Sequence, residues 1–119
     1  MAGQVDAVLR WAADDVRARP VVAKHVEVRR EEPLDRVAGL VAEAGGQALA
    51  QPTDVAEPES VAALFARVSD EFGRCDLLFN NAGSGTPPVP MEDLTFEQWN
   101  NCVGTNLTGS FLCAQHAIR

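Results

Sequence analysis

The chain has 119 residues, a formal charge of −7, 46% apolar residues and no Tyr. That length allows one domain with a modest core. The acidic balance argues against non-specific binding to DNA, RNA or anionic lipid, no apolar run reaches the ~18 residues that would suggest a membrane span, and an N-terminal segment with early acidic residues and no apolar core argues against secretion.

In chain order, the first 25 residues give the weakest pattern. WAADDVRA is helix-like and polar, and Val21–Val28 is a candidate strand interrupted by Lys24, His25 and Glu27. Gly3 is the only glycine before Gly39, so a glycine-rich turn of the kind that cradles phosphate is absent. Residues 34–44, LDRVAGLVAEA, place Leu34, Val37, Leu40 and Val41 at helical spacing, and Gly45-Gly46 stops the pattern. Gln47–Gln51 reads as a short strand ending at Pro52-Thr53-Asp54. Pro58 then opens a second helix with an apolar face of Val61, Leu64, Phe65 and Val68, closed at Phe72-Gly73.

Leu77-Leu78-Phe79-Asn80-Asn81-Ala82-Gly83 follows Asp76. A short apolar run of this kind reads as a buried parallel strand, and the two amides sit at its carboxyl end, where open α/β sheets bind ligands. Residues 84–92, SGTPPVPME, form a Pro-rich loop. Thr95-Phe96-Glu97-Gln98 reads as a capping box that starts a third helix, running through Trp99, Val103, Leu107, Phe111 and Leu112. The alternation of strands and helices predicts an α/β fold with a parallel sheet. Cys75, Cys102 and Cys113 lack CxxC spacing and fit reduced thiols in the cytoplasm. His25 and His116 read as surface or packing residues rather than metal ligands.

From about residue 28 onward the chain resembles the short-chain dehydrogenase/reductase family. Four segments carry the resemblance, in family order: Arg29–Leu34, Gly45–Val55, Asn80-Asn81-Ala82-Gly83, and Trp99 with Thr105-Asn106-Leu107-Thr108-Gly109. The resemblance implies a partial Rossmann-like sheet with helices on both faces, incomplete at both ends, in which residues 1–27 match poorly and residues 28–119 match. It implies reversible hydride transfer between NAD or NADP and a carbonyl or alcohol, in a protein that is usually a homo-oligomer. The family's TGxxxGxG segment has no match here. Its catalytic Ser and Tyr-x-x-x-Lys pair would fall beyond Arg119. The expectation is therefore a truncated or frameshifted product, or a fragment, that is inactive alone.

Carried over position by position, the resemblance assigns Asp54 to the adenine amino group, the Val55 backbone to placing the ring, and Asn81, Ala82 and Gly83 to the ribose side. Without it, Asp54 is a turn or capping residue ahead of Pro58, and the Asn pair ties strands together; Asn80 is assigned to structure. Asn106 is the one catalytic residue of the family pattern present. Asn suits a helix interior poorly, and the resemblance places it at a helix distortion that frees a backbone carbonyl for a proton-relay water. Arg29 and Arg30, with no acidic residue at Val28, favour the 2′-phosphate of NADP, with solvated surface Arg as the alternative. Phe96 and Trp99 read as core or interface anchors. Two other readings remain open on sequence: a phospho-receiver-like module with Asp54 as acceptor, and a folded remnant that only associates with partner chains.

Overall fold

The computed structural model describes Val5–Arg10, Val21–Lys24 and residues 34–119. The expectations for Gly3, WAADDVRA, His25, Val28, Arg29 and Arg30 fall outside those residues. The elements run β1 (Val5–Arg10), β2 (Val21–Lys24), α1 (Leu34–Glu43), β3 (Ala50–Thr53), α2 (Pro58–Phe72), β4 (Leu77–Asn80), a 3-10 turn (Met91–Asp93), α3 (Phe96–Val103), a π-helical segment (Gly104–Thr108) and α4 (Gly109–Ala117).

The four strands form one sheet in the order β3-β1-β2-β4. β2 and β4 are parallel, and β1 is antiparallel to both of its neighbours, β2 and β3. It follows that β2, β3 and β4 all point the same way, joined through α1 and α2 as a βαβαβ frame. β1 is the departure from the expected all-parallel sheet. The segment between β1 and β2 spans residues 11–20, and a parallel crossover needs about a dozen residues or more, whereas an antiparallel return does not.

Local sequence signals explain most element ends. Gly45 takes a left-handed conformation at φ 78°, and the Gly46 N–H donates to the Val41 carbonyl at 2.9 Å, closing α1. Gly73, at φ 73°, closes α2 by donating to Ser69 O at 2.8 Å. Pro58 stands in the first turn of α2, where a missing N–H costs nothing. The capping box at Thr95 forms in both directions. The Gln98 N–H donates to Thr95 Oγ1 at 3.2 Å, and the Thr95 N–H donates to Gln98 Oε1 at 2.9 Å.

Three expectations shift. The strand placed at Gln47–Gln51 lies at Ala50–Thr53 and passes through Pro52. β3 is an edge strand with β1 as its single neighbour, and an edge tolerates Pro because the absent N–H can face away from the ladder. β4 is also an edge strand, and its expected burial is not found: Leu77 is 52% and Phe79 57% exposed. Leu40, expected on the inner face of α1, is exposed, while Val41 is buried.

The core gathers around α2. Val61, Leu64, Phe65 and Val68 meet Leu49, Val55, Ala82 and Cys113, with Phe72, Leu78, Leu112 and Ala117 packed against them. α2 lies on α4, and α4 lies on β4. His116 serves as packing: its ring stacks on Phe65 with centroids 5.5 Å apart. Cys75, Cys102 and Cys113 are all thiols. No helix among the described residues is long and apolar enough to cross a membrane.

Leu64 is 1% exposed at the centre of this cluster, so Leu64→Ala is expected to destabilise the chain by about 2–5 kcal/mol. Thr95→Ala, which removes one half of the capping box, is expected to cost about 1 kcal/mol. Urea denaturation followed by circular dichroism measures both.

Candidate functional site

Because β3 and β4 run parallel within the frame, their carboxyl ends open on the same edge of the sheet. Asp54 and Val55 follow β3, and Asn81, Ala82 and Gly83 follow β4. The topology therefore puts the two segments singled out from sequence at the same end of the sheet, on strands separated by β1 and β2. A crevice outside the carboxyl ends of parallel strands is where open α/β sheets bind nucleotides.

The turn after β3 is held by its own side chains. Asp54 Oδ1 accepts the Ala56 N–H at 2.9 Å, and the Asp54 N–H donates to Ser60 Oγ at 2.9 Å. Both readings of Asp54 are compatible with this geometry, since one carboxylate oxygen shapes the turn and no donor among the described residues engages Oδ2. Val55 is fully buried beneath the turn.

The turn after β4 is held from a distance by Asn106. The Ser84 N–H donates to Asn106 Oδ1 at 3.3 Å, and Asn106 Nδ2 donates back to Ser84 O at 2.7 Å. Nδ2 also donates to Cys102 O at 2.8 Å and approaches Cys102 Sγ at 3.3 Å. This two-way amide pairing imitates a strand ladder across 22 residues of sequence. It also supplies a reason for Gly83 beyond room for a ligand: a Cβ there would lie 3.1 Å from Asn106 Oδ1. Ala82 is buried in the core, and Asn80 Nδ2 donates to Ser110 O at 3.5 Å, a structural tie.

Asn106 sits in the middle of the π-helical segment. The expected helix distortion is therefore present, and it is a widened turn in which the Gly109 N–H donates to Gly104 O. Two details were missed from sequence. The Asn106 side chain is committed to Ser84 and Cys102, so it has no direct route to a substrate. Its carbonyl accepts the Ser110 hydroxyl at 2.9 Å, a back-bond of the kind that accompanies helix distortion. The available signal was the pair of glycines, Gly104 and Gly109, on either side of Asn106.

The donor set fits a dinucleotide. Asp54 offers an acceptor on one side of the crevice. On the other, Ser84 Oγ is buried without a hydrogen-bond partner among the described residues, beside the small Ala82-Gly83 backbone. Such a hydroxyl calls for a polar group to complete it. Away from the crevice, burial and then the Asp76 charge push the Cys75 thiol pKa up, which holds that sulfur in its protonated form.

The comparisons with known proteins bear on this arrangement directly. The short chain dehydrogenase family model matches residues 18–119. The chain is 42% identical over 88 residues to cis-4-hydroxycyclohexanecarboxylate dehydrogenase of Sinomonas cyclohexanicum, covering 74% of this chain and 35% of that protein. It is 33% identical over 107 residues to 3beta-hydroxysteroid dehydrogenase of Mediterraneibacter gnavus, covering 87% and 38% respectively. Among solved structures, a metagenomic short-chain oxidoreductase in complex with NADP superposes with a TM-score of 0.67 at 29% identity, covering 71% of this chain and 38% of that one.

The fold is thus that of a Rossmann-type α/β protein. The chain belongs to the short-chain dehydrogenase family. It spans a little over a third of the length of the relatives it matches. This family membership replaces the phospho-receiver reading of Asp54.

Replacing Asn106 by Ala removes the Ser84 pairing and leaves polar backbone groups without partners. A loss of about 1–3 kcal/mol is expected. Asn101→Ala, on the exposed side of α3, is expected to change stability by no more than about 0.5 kcal/mol. Comparing the two urea midpoints checks both values.

Proposed function

We propose that these residues form the nucleotide-holding part of an NAD(P)-dependent oxidoreductase acting on a small carbonyl or alcohol. The observation that carries this reading is that Asp54-Val55 and Asn81-Ala82-Gly83 both follow strands that run the same way, and so lie at the carboxyl end of one sheet. In this reading Asp54 Oδ2 accepts from the adenine amino group, and the Val55 backbone places the ring. The Asn81-Ala82-Gly83 backbone lies along the ribose. Asn81 and its neighbours are uncharged, which suits a sugar better than a phosphate.

A nicotinamide cofactor supplies the hydride when it is bound. This chain's residues bind, orient and support proton movement. Asn106 acts through its backbone: a carbonyl oxygen has two lone pairs, Ser110 Oγ occupies one, and the other is the proposed seat of a relay water. The proton donor itself lies outside these residues, which contain no Tyr. NADP is favoured over NAD on the strength of Arg29 and Arg30 in the sequence, and the NADP complex of the structural relative is in keeping with that preference.

The proposed setting is the cytoplasm, consistent with three thiols and an acidic, span-free chain. A second copy of the chain is the proposed partner. Phe96, Trp99, Leu107 and Phe111 form an exposed apolar face along α3, the π segment and α4, so the anchor reading of Phe96 and Trp99 resolves toward an interface. Sedimentation is expected to show dimers or larger species that Trp99→Asp disperses.

Calorimetric titration of the 119-residue chain is expected to show NADPH binding that Asp54→Ala weakens about tenfold, the equivalent of ~1.4 kcal/mol for one hydrogen bond. Binding of neither NADPH nor NADH would sink the proposal. Carbonyl reduction by this chain alone is expected to be undetectable.

A further inference from the structure

Gly104 and Gly109 have no role in the reading given so far, yet both face the turn after β3. A Cβ at Gly109 would lie 2.6 Å from Val55 Cγ2 and 3.1 Å from Val55 O, closer than folded proteins tolerate. A Cβ at Gly104 would meet Ala56 Cβ at 3.4 Å. Two positions five residues apart lie about 140° apart around a regular α-helix of roughly 3.6 residues per turn. They cannot both face one turn there. The π segment brings them together, because its wider turn bonds the Gly109 N–H directly to Gly104 O.

The same segment carries Asn106, whose amide holds Ser84 from both sides. One widened turn therefore grips two loops: Val55-Ala56 through the space left by two glycines, and Ser84 through one amide. We propose that the π segment Gly104–Thr108 is a positioning element that fixes the spacing between the turns after β3 and β4, with Gly109 as the positioning residue. Displacing Val55 pushes the segment and, with it, the Asn106 amide that holds Ser84. The proposal takes its significance from the nucleotide reading, since those turns would hold the two ends of an adenosine moiety. The coupling itself is a property of the ligand-free chain.

The test is residue-resolved amide hydrogen exchange on the ligand-free 119-residue chain, so an absence of nucleotide binding does not bear on it. Gly109→Ala is expected to speed exchange of the Ser84 amide at least tenfold while the Val61, Leu64 and Val68 amides of α2 keep their rates. Adding Val55→Ala, which removes the Cγ2 atom closest to the new methyl, is expected to restore much of the Ser84 protection. Gly39→Ala, whose methyl meets nothing within 4 Å, is the control and leaves Ser84 unchanged. Unchanged Ser84 exchange in folded Gly109→Ala overturns the proposal. So does an equal acceleration of Ser84 and the α2 amides, which would be plain destabilisation. If Gly109→Ala does not fold, Gly109→Ala with Val55→Ala, which keeps the 3.1 Å approach to Val55 O, is compared with Val55→Ala alone and decides the question by the same two criteria with a smaller expected shift.

Discussion

The approach of Gly109 to Val55 is the constraint on which the rest of this structure depends. Val55 has no exposed surface, and its side chain and carbonyl occupy the place a Cβ at Gly109 would take. That contact lets α4 lie flush against the turn after β3 while it also packs on α2 and β4. The core is small, and it is densest where these elements converge, with Val55, Val61, Leu64 and Cys113 all almost fully buried. A helix held at this distance cannot shift without opening the centre of that core, because folded interiors have few voids to absorb the movement.

A second consequence concerns the order of chemistry and support. The turns that would meet a nucleotide are short and partly exposed, and neither is rigid through its own backbone bonds alone. Asp54 braces its turn locally through Ala56 and Ser60. The turn after β4 is tied at Ser84 by Asn106, 22 residues away. Asn106, which the family resemblance marks as catalytic, is thus a structural tie, and the relay role proposed for it falls on a different atom. The side-chain amide holds the loop, and the carbonyl, which accepts the Ser110 hydroxyl, is the proposed seat of a relay water. Loss of the side chain would disturb both, so a loss of activity in an Asn106 variant of a longer relative would not by itself show a relay.

Much of the fold was legible in the sequence where the signal is local. Gly45, Pro58, Gly73 and the Thr95–Gln98 box each act within a few residues, and each does what its chemistry predicts. The apolar face of α2 follows from its 3.6-residue period and is buried at all four positions. The misreadings share a cause. Whether a strand is central or at an edge depends on non-adjacent segments, so the Pro52 strand was ended too early and β4 was expected to be buried. The antiparallel course of β1 depends on the length of a connection rather than on any residue in the strand. At the site, the Asn106–Ser84 pairing was not legible, because nothing in either residue specifies a partner across 22 positions.

The distribution of exposed apolar surface completes the argument. Leu77 and Phe79 lie open on the β4 edge, and Phe96, Leu107 and Phe111 lie open on the helical face, while Val55 and Ala82 in the two turns are buried. An open strand edge and an apolar helical face both favour association. Leu107 and Phe111 share the π segment and α4 with Asn106 and Gly109, but the Val55–Gly109 approach and the Asn106–Ser84 pairing are made by other side chains. The geometry of the crevice is therefore set from inside the chain, by one close approach and one amide. What covers the outer faces governs assembly and overall stability. A protein built this way can change its partners along the outer helix without altering the spacing of the turns proposed to hold its cofactor.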